Sequence, residues 1–249
     1  MAVMAANSNF VYDQWLAQLL QRDVYQLMVD DDFIKKCRQP SSPEYRRLEE
    51  LKAATVFMYA KVPVSTPVAV SFLEEHGFKL IDTNVTLEKP IVPTDKVTNR
   101  ITMRFAVPAD QEQIVEVARK SFTYSRFHLD SAFPPDIAEK TRAEWIKSYF
   151  MGNRGDTMVV ALAGEVIIGF LLLIYGKEGW LTIDLIAVAE THRKIGIARD
   201  MIRYAESKCQ GFSRIRVGTQ LANLPSLRLY EGMGFKIAKS QYTFHYHHE

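Results

Sequence analysis

The sequence predicts a mixed α/β protein, an α+β arrangement built on a mixed sheet, and three observations carry that prediction. Past residue 100, strand-like and helix-like segments follow in the order β-α-α-β-β-β-α-β-α-β, not as the repeated βαβ units of a doubly wound sheet. The run Met158–Tyr175, MVVALAGEVIIGFLLLIY, is apolar and rich in Val and Ile, and Ala163-Gly164-Glu165 interrupts it; it reads as two buried strands joined by a tight hairpin. At Ile183–Arg199, IDLIAVAETHRKIGIAR, a strand passes through a polar, glycine-containing turn into a helix.

The other elements follow in chain order. Tyr12–Leu20 and Pro43–Ala60 carry helical patterning, and Lys79–Leu87 reads as a strand. The polar stretch EKPIVPTDKVTN, with two prolines, reads as a linker near Lys89–Asn99 and divides the chain into a smaller N-terminal domain, 1–92, and a larger one, 99–249. Ile101–Ala106 reads as a strand. Asp110–Phe122 reads as a helix with Ile114, Val115, Val117 and Ala118 as its apolar positions, and Pro135–Phe150 as another. After the hairpin come a strand at Gly179–Val188, a helix at about Gly196–Cys209, a strand at Arg214–Thr219, a helix at Leu224–Met233 and a last strand at Phe235–His247. Ser71–Asp82, SFLEEHGFKLID, echoes Arg228–Lys239, RLYEGMGFKIAK. Both put Gly-Phe-Lys where a helix ends, with Leu73 in the first at the place of Tyr230 in the second, so the first domain reads as a degenerate half-copy.

Composition bounds the function. The 249 residues are 47% hydrophobic and 24% charged, enough for one large or two small globular cores. The net charge is +2 and no Lys/Arg block stands out, so a nucleic-acid partner is not indicated. The first ten residues lack the basic start and long apolar run of a signal peptide. Cys37 and Cys209 are far apart and form no CxxC spacing, which suits packing thiols in a reducing cytoplasm. The terminal His245, His247 and His248 lack a neighbouring carboxylate, so no metal site is expected there.

Two stretches carry chemistry. In Arg193-Lys194-Ile195-Gly196-Ile197-Ala198-Arg199, the glycine lets the backbone approach a ligand and the small Ala198 leaves it room. The helix that begins there offers unpaired N–H groups with the positive dipole end behind them, a ready pyrophosphate site. The second stretch, Asn223-Leu-Pro-Ser226-Leu-Arg-Leu-Tyr230, ends at Gly234-Phe235. Asn223 and Ser226 sit at a helix start, where each serves either as a cap or as a ligand contact. Ser226 is one turn before Tyr230 on the same face.

A strand followed by RKIGIA and a helix, then a strand followed by N-x-x-S-x-x-x-Y-x-x-x-GF, resembles the GCN5-related N-acetyltransferase (GNAT) superfamily over about residues 101–245. The resemblance implies a GNAT-type acyltransferase fold with acetyl-CoA as co-substrate. It implies that backbone groups of Ile186, Ala187 and Val188 hold the pantetheine arm, that amides from Lys194 through Arg199 bind the pyrophosphate, that Asn223 meets the pantetheine, and that Tyr230 lies beside the sulfur. A narrower likeness, in SFTYSRFH (Ser121–His128), AEWI and VGTQLAN, is to the dTDP-fucosamine acetyltransferases, which acetylate the 4-amino group of a nucleotide-linked deoxysugar.

A phenol can protonate the leaving thiolate, which makes Tyr230 the expected general acid. Many superfamily members carry a Glu on the strand before the loop; the aligned residue here is Thr182. Asp184 is one candidate base, and a water relay or an already neutral amine is another route. Tyr124, Arg126 and His128, with Asp130, lie in the segment expected to border the acceptor cleft; Arg126 suits a phosphate or carboxylate and Tyr124 can stack on a base or sugar. The acceptor class stays open among an amino sugar, another small amine and a protein N-terminus. A non-catalytic acyl-CoA sensor also stays open, as does a homodimer.

Overall fold

The computed structural model describes residues 9–92 and 101–248. The elements are β1 (Phe10–Tyr12), α1 (Gln14–Leu20), β2 (Asp23–Leu27), α2 (Asp31–Cys37), α3 (Pro43–Lys52), β3 (Val56–Pro63), α4 (Pro67–Glu75) and β4 (Lys79–Pro90). They continue as β5 (Thr102–Phe105), α5 (Gln111–Ser121), α6 (Arg126–Leu129), α7 (Ile137–Phe150), β6 (Thr157–Ala163) and β7 (Val166–Tyr175). The chain closes with β8 (Trp180–Val188), α8 (Ile197–Lys208), β9 (Arg214–Gln220), α9 (Leu224–Glu231) and β10 (Lys236–His248). The mixed α/β class follows, and the element order after residue 100 is the expected one with the short α6 added. Most of the expected linker, 93–100, lies outside the described residues.

Two compact units form. Of the described residues, the first holds those up to Asn84, Leu129–Phe133, and those from Ser240 onward; the second holds Val85–His128 and Pro134–Lys239. In the first unit β1, β2, β3 and β10 are neighbours in that order, with β2 parallel to β3 and β10 antiparallel to it, from Gln241 opposite Pro63 to His248 opposite Val56. Phe33, Leu48, Leu51, Met58, Phe72 and Phe244 fill its core. The single helix expected over Pro43–Ala60 is corrected here: α3 stops at Lys52 and Val56–Pro63 is a strand. Val56–Ala60 is buried at every position, and an unbroken apolar run does not distinguish a two-faced strand from a helix by period alone. The short β2 and α2 lay below the sequence signal.

In the second unit the order is β4-β9-β8-β7-β6-β5. Alternation along β6 divides its side chains between two cores: Val159 and Ala161 face α8 and α9, whereas Met158, Val160 and Leu162 face α5 and α7. The hairpin between β6 and β7 turns on Gly164, whose φ of +62° suits a residue without a Cβ. Among the described residues no helix is long and apolar enough to cross a membrane.

The two Gly-Phe helix endings prove conformationally alike. Gly77 and Gly234 have φ of +83° and +87°. The Phe78 amide donates to the Leu73 carbonyl at 2.9 Å, and the Phe235 amide to the Tyr230 carbonyl at 3.0 Å. Leu73 and Tyr230 therefore occupy the same place in the same turn.

Asp130 belongs to the first unit. It is 6% exposed, and one carboxylate oxygen, Oδ2, receives His245 Nδ1 at 2.6 Å and His247 Nε2 at 2.7 Å. The Ala132 amide donates to Oδ1 at 3.0 Å. The terminal histidines thus have the carboxylate partner that no nearby residue offered. Arg22 Nη2 lies 2.9 Å from His247 Nδ1, so that nitrogen accepts and Nε2 carries the proton given to Asp130. Coordination of a metal through Nε2 would move the proton to Nδ1 and turn it against the Arg22 donor, so the trio is built as a hydrogen-bond hub. Burial raises the Asp130 pKa, but the two imidazoles and the Ala132 amide outweigh it and hold the carboxyl far below the usual range. A carboxyl depressed in the folded state contributes stability that is present above its unfolded pKa of about 4 and is lost as pH falls below that value. Acid titration followed by circular dichroism should therefore show a steeper loss below about pH 4 in the wild type than in Asp130→Asn, which should be less stable than wild type at neutral pH.

Candidate active site

The site is organised by a fault in β8. Its antiparallel ladder with β7 pairs Leu172 with Leu185 but Leu173 with Ile183, so Asp184 is an extra, bulged residue. The bulge inverts the side-chain alternation. Leu181 and Ile183 before it, and Ile186 and Val188 after it, pack on the α8–α9 side, while Leu185 and Ala187 turn to the α5–α7 side. At the same point the parallel ladder to β9 ends, its last pair being Ile183 with Val217. Residues 185–188 thus keep β7 on one edge, and residues 184–188 have no β9 partner on the other. An unpaired strand edge presents a row of amides and carbonyls that an extended ligand can pair with.

Just beyond lies the turn into α8. Lys194 and Gly196 both have positive φ, +66° and +96°. The bond from the Asp200 amide to the Gly196 carbonyl opens the helix, so the amides of Ile197, Ala198 and Arg199 have no partner within it. A Cβ on Gly196 would meet nothing within 4 Å, so glycine is required by backbone conformation and not by crowding. Lys194, Ile195 and Arg199 are exposed, and Ile197 is buried against the core. Arg193 is committed locally: Nε donates to the Val188 carbonyl at 3.0 Å and Nη2 to the Ser121 carbonyl at 3.1 Å. Its charge remains near the turn while its donors tie the end of β8 to the end of α5.

Asn223 caps α9. Its Oδ1 accepts from the Ser226 amide at 3.3 Å, and its Nδ2 lies 3.3 Å from Thr219 Oγ1. Tyr230, 2% exposed, packs in the same core as Ile186, Val188 and Ile197, with the Phe235 ring 5.5 Å away. Burial alone pushes its phenol well above 10.

On the opposite face of the sheet, Asp184 is not a free carboxylate. Arg154 grips it with Nε to Oδ2 at 2.7 Å and Nη2 to Oδ1 at 2.8 Å. Both oxygens are engaged, which favours holding the bulge over collecting a proton. Thr182 accepts a hydrogen bond from Arg216 Nε at 2.9 Å. Tyr124 is half-buried and Arg126 begins α6. His128 Nδ1 lies 2.6 Å from Ser125 Oγ; burial and then the Arg142 guanidinium lower its pKa, keeping the ring neutral at pH 7. Arg142 and Arg154, which the sequence did not single out, gather here around Trp145 of the AEWI stretch: both guanidinium carbons lie 4.3 Å from the Trp145 ring centroid. Their spacing along the chain gave no hint of it, because Arg154 reaches the cluster from a loop.

Residues 114–235 match the model of the acetyltransferase (GNAT) family. That stretch is a GNAT-family acetyltransferase domain. Over 240 residues it is 27% identical to the spore coat polysaccharide biosynthesis protein SpsD of Bacillus subtilis (strain 168), an alignment spanning 93% of this chain and 80% of that protein. A GCN5-related N-acetyltransferase from Sphaerobacter thermophilus superposes with a TM-score of 0.54 at 16% identity. The match covers 82% of this chain but only 64% of that one, so this chain spans just under two thirds of its length. A tandem GNAT protein from the clavulanic acid biosynthesis pathway superposes with a TM-score of 0.56 at 11% identity, over 90% of this chain and 75% of that one. The two structural likenesses bear on the fold alone.

Two substitutions test the site's construction. Asp184→Asn should lower stability by about 2 kcal/mol, the scale of a charge-assisted bidentate pair, measured by urea unfolding. Gly196→Ala pays a left-handed backbone penalty of roughly 1–2 kcal/mol. It should weaken CoA binding in calorimetry roughly tenfold if the turn carries that cost, about 1.4 kcal/mol per factor of ten.

Proposed function

We propose that this GNAT enzyme transfers the acetyl group of acetyl-CoA to a primary amine of a small molecule, the 4-amino group of a nucleotide-linked deoxysugar, in the cytoplasm. The observation that carries the acyl-donor half is the unpaired edge of β8, which ends at the amide-rich start of α8 and shares a core with Tyr230. The acceptor half is supported by the 27% identical relative, which is named for polysaccharide biosynthesis.

Acetyl-CoA supplies the thioester carbonyl and a thiolate leaving group. The amides of residues 186–188 are suited to hold the pantetheine arm and to face the developing oxyanion. Those of Lys194 through Arg199 are suited to receive the pyrophosphate, with Asn223 and Ser226 at the neighbouring helix start. The acceptor nitrogen attacks the carbonyl carbon, the C–S bond breaks, and Tyr230 Oη gives its proton to the sulfur; the nitrogen loses its proton to water, and a proton from water restores the Tyr230 phenol. Burial makes the phenol a weaker acid, yet the same apolar walls penalise the thiolate and raise its proton affinity in step. With Asp184 gripped by Arg154, deprotonation is assigned to solvent or to an amine that arrives neutral. Tyr124, Arg126 and His128 are assigned to the acceptor. Residues 99–249 carry the chemistry and the N-terminal domain is non-catalytic.

Tyr230→Phe should lower kcat by about 10²-fold, the scale of a general acid, while CoA affinity by calorimetry stays within about twofold, or about 0.4 kcal/mol. Because burial raises the phenol pKa, kcat should show no basic limb from Tyr230 below about pH 10. Turnover equal to wild type removes Tyr230 from the mechanism. Thiol release with a panel of amines, including 4-amino-deoxysugar nucleotides, tests the acceptor; turnover of other amines alone would discard the sugar assignment and keep the enzyme.

A further inference from the structure

Arg142 is a buried charge that the proposed mechanism does not use. It lies on α7, is 7% exposed, and makes no hydrogen bond or ion pair among the described residues; its Nε is buried without an acceptor. The charges that reach it are the guanidiniums of Arg154 and Arg126 and the carboxylate of Asp184. That carboxylate is already bidentate to Arg154, so the attraction it offers Arg142 is largely spent. Glu139, on the same helix, is not among the charges that act on Arg142. Rings of Phe122 and Trp145 lie 4.5 and 4.3 Å from the Arg142 guanidinium carbon. Such contacts use the π face of the group and recover part of its desolvation. They leave the in-plane N–H donors unspent, and these form a fork that matches a phosphate or carboxylate. An unmatched buried cation is costly, and an anion that enters its fork offsets that cost.

The position separates this group from the acyl donor. The amide-rich start of α8 lies on one face of the sheet, whereas α7 covers the other, over Leu185 and Ala187. Through Arg154 and Asp184 the cluster is tied to the bulge of β8.

We propose that Arg142 receives an oxyanion of the acceptor, a phosphate or a carboxylate, in its in-plane fork, and so makes the enzyme selective for anionic amines. This rests on the acceptor-amine function proposed above and adds the residue that recognises the acceptor's charge.

The test compares wild type with Arg142→Met and Arg142→Lys, each with and without saturating CoA. Melting temperature is followed with pyrophosphate, phosphate and succinate at constant ionic strength. At least one of these anions should raise the Tm of the wild type more than that of Arg142→Met, and Arg142→Lys should recover part of the difference. Which anion does so separates a phosphate from a carboxylate. Equal shifts in wild type and Arg142→Met, or no shift in wild type, overturn the proposal; the start of α8 contributes equally to all three proteins and cancels. If Arg142→Met does not fold, the same comparison is made with Arg142→Lys, whose loss of the fork should shrink the shift. In kinetics, Arg142→Met should raise KM for a phosphate-bearing amine by about tenfold or more, as for a lost charge-assisted pair, and raise it less for the same amine without phosphate. A protein that responds to anions through Arg142 but releases thiol with no amine keeps the anion site and loses the proposed reaction; thiol release with an unchanged anion response in Arg142→Met does the reverse.

Discussion

The parting of β8 from β9 after Ile183 and Val217 is the constraint on which the candidate site depends. A parallel ladder carried to the end of both strands would consume the donors and acceptors of residues 184–188. Ending it at the bulge frees that edge, and the inverted alternation beyond Asp184 sends Ile186 and Val188 to the side where α8 begins and Tyr230 is buried. The bulge is held from the other face by Arg154, whose two hydrogen bonds to Asp184 give the extra residue a fixed partner. Backbone pairing and one ion pair therefore shape this edge of the candidate site together. Replacing a side chain on either face acts on the same five residues.

The two units use buried charge in opposite ways. In the first, Asp130 is fully engaged by two imidazoles and an amide, so its charge is stabilised and the network pins Leu129–Phe133 to β10. In the second, Arg142 is as well buried, but among the described residues it has aromatic neighbours, like charges and an Asp184 carboxylate already gripped by Arg154. A satisfied buried ion specifies structure, and an unsatisfied one is retained at a cost. That contrast is why the first serves as a structural hub and the second as a place for an external anion.

Much of the second unit was legible in the sequence because its elements are long and strongly patterned. The hairpin in Met158–Tyr175 declared itself by a glycine and a charge inside two β-branched runs, and the turn at Gly196 by a glycine between a strand and an amphipathic helix. The first unit was less legible. Val56–Ala60 is buried on both faces and so loses the alternation that marks a strand, and β2 and α2 are too short for any period to emerge. The histidines of β10 looked unpartnered because Asp130 lies more than a hundred residues away in the chain.

By itself the sequence determined the mixed α/β class, the glycine turn into α8, the helix start at Asn223 and the turn that ends α9 after Tyr230. All of these are local, set by propensity, periodicity and glycine within a few residues. Only the tertiary structure decided that β9 leaves β8 at Val217, that Asp184 is a bulge gripped by Arg154, and that Arg142 is buried with no ion pair among the described residues. Each of those depends on strand register or on side chains meeting from separate elements. Register and long-range contact are settled by packing the whole sheet, which no local window of the chain contains.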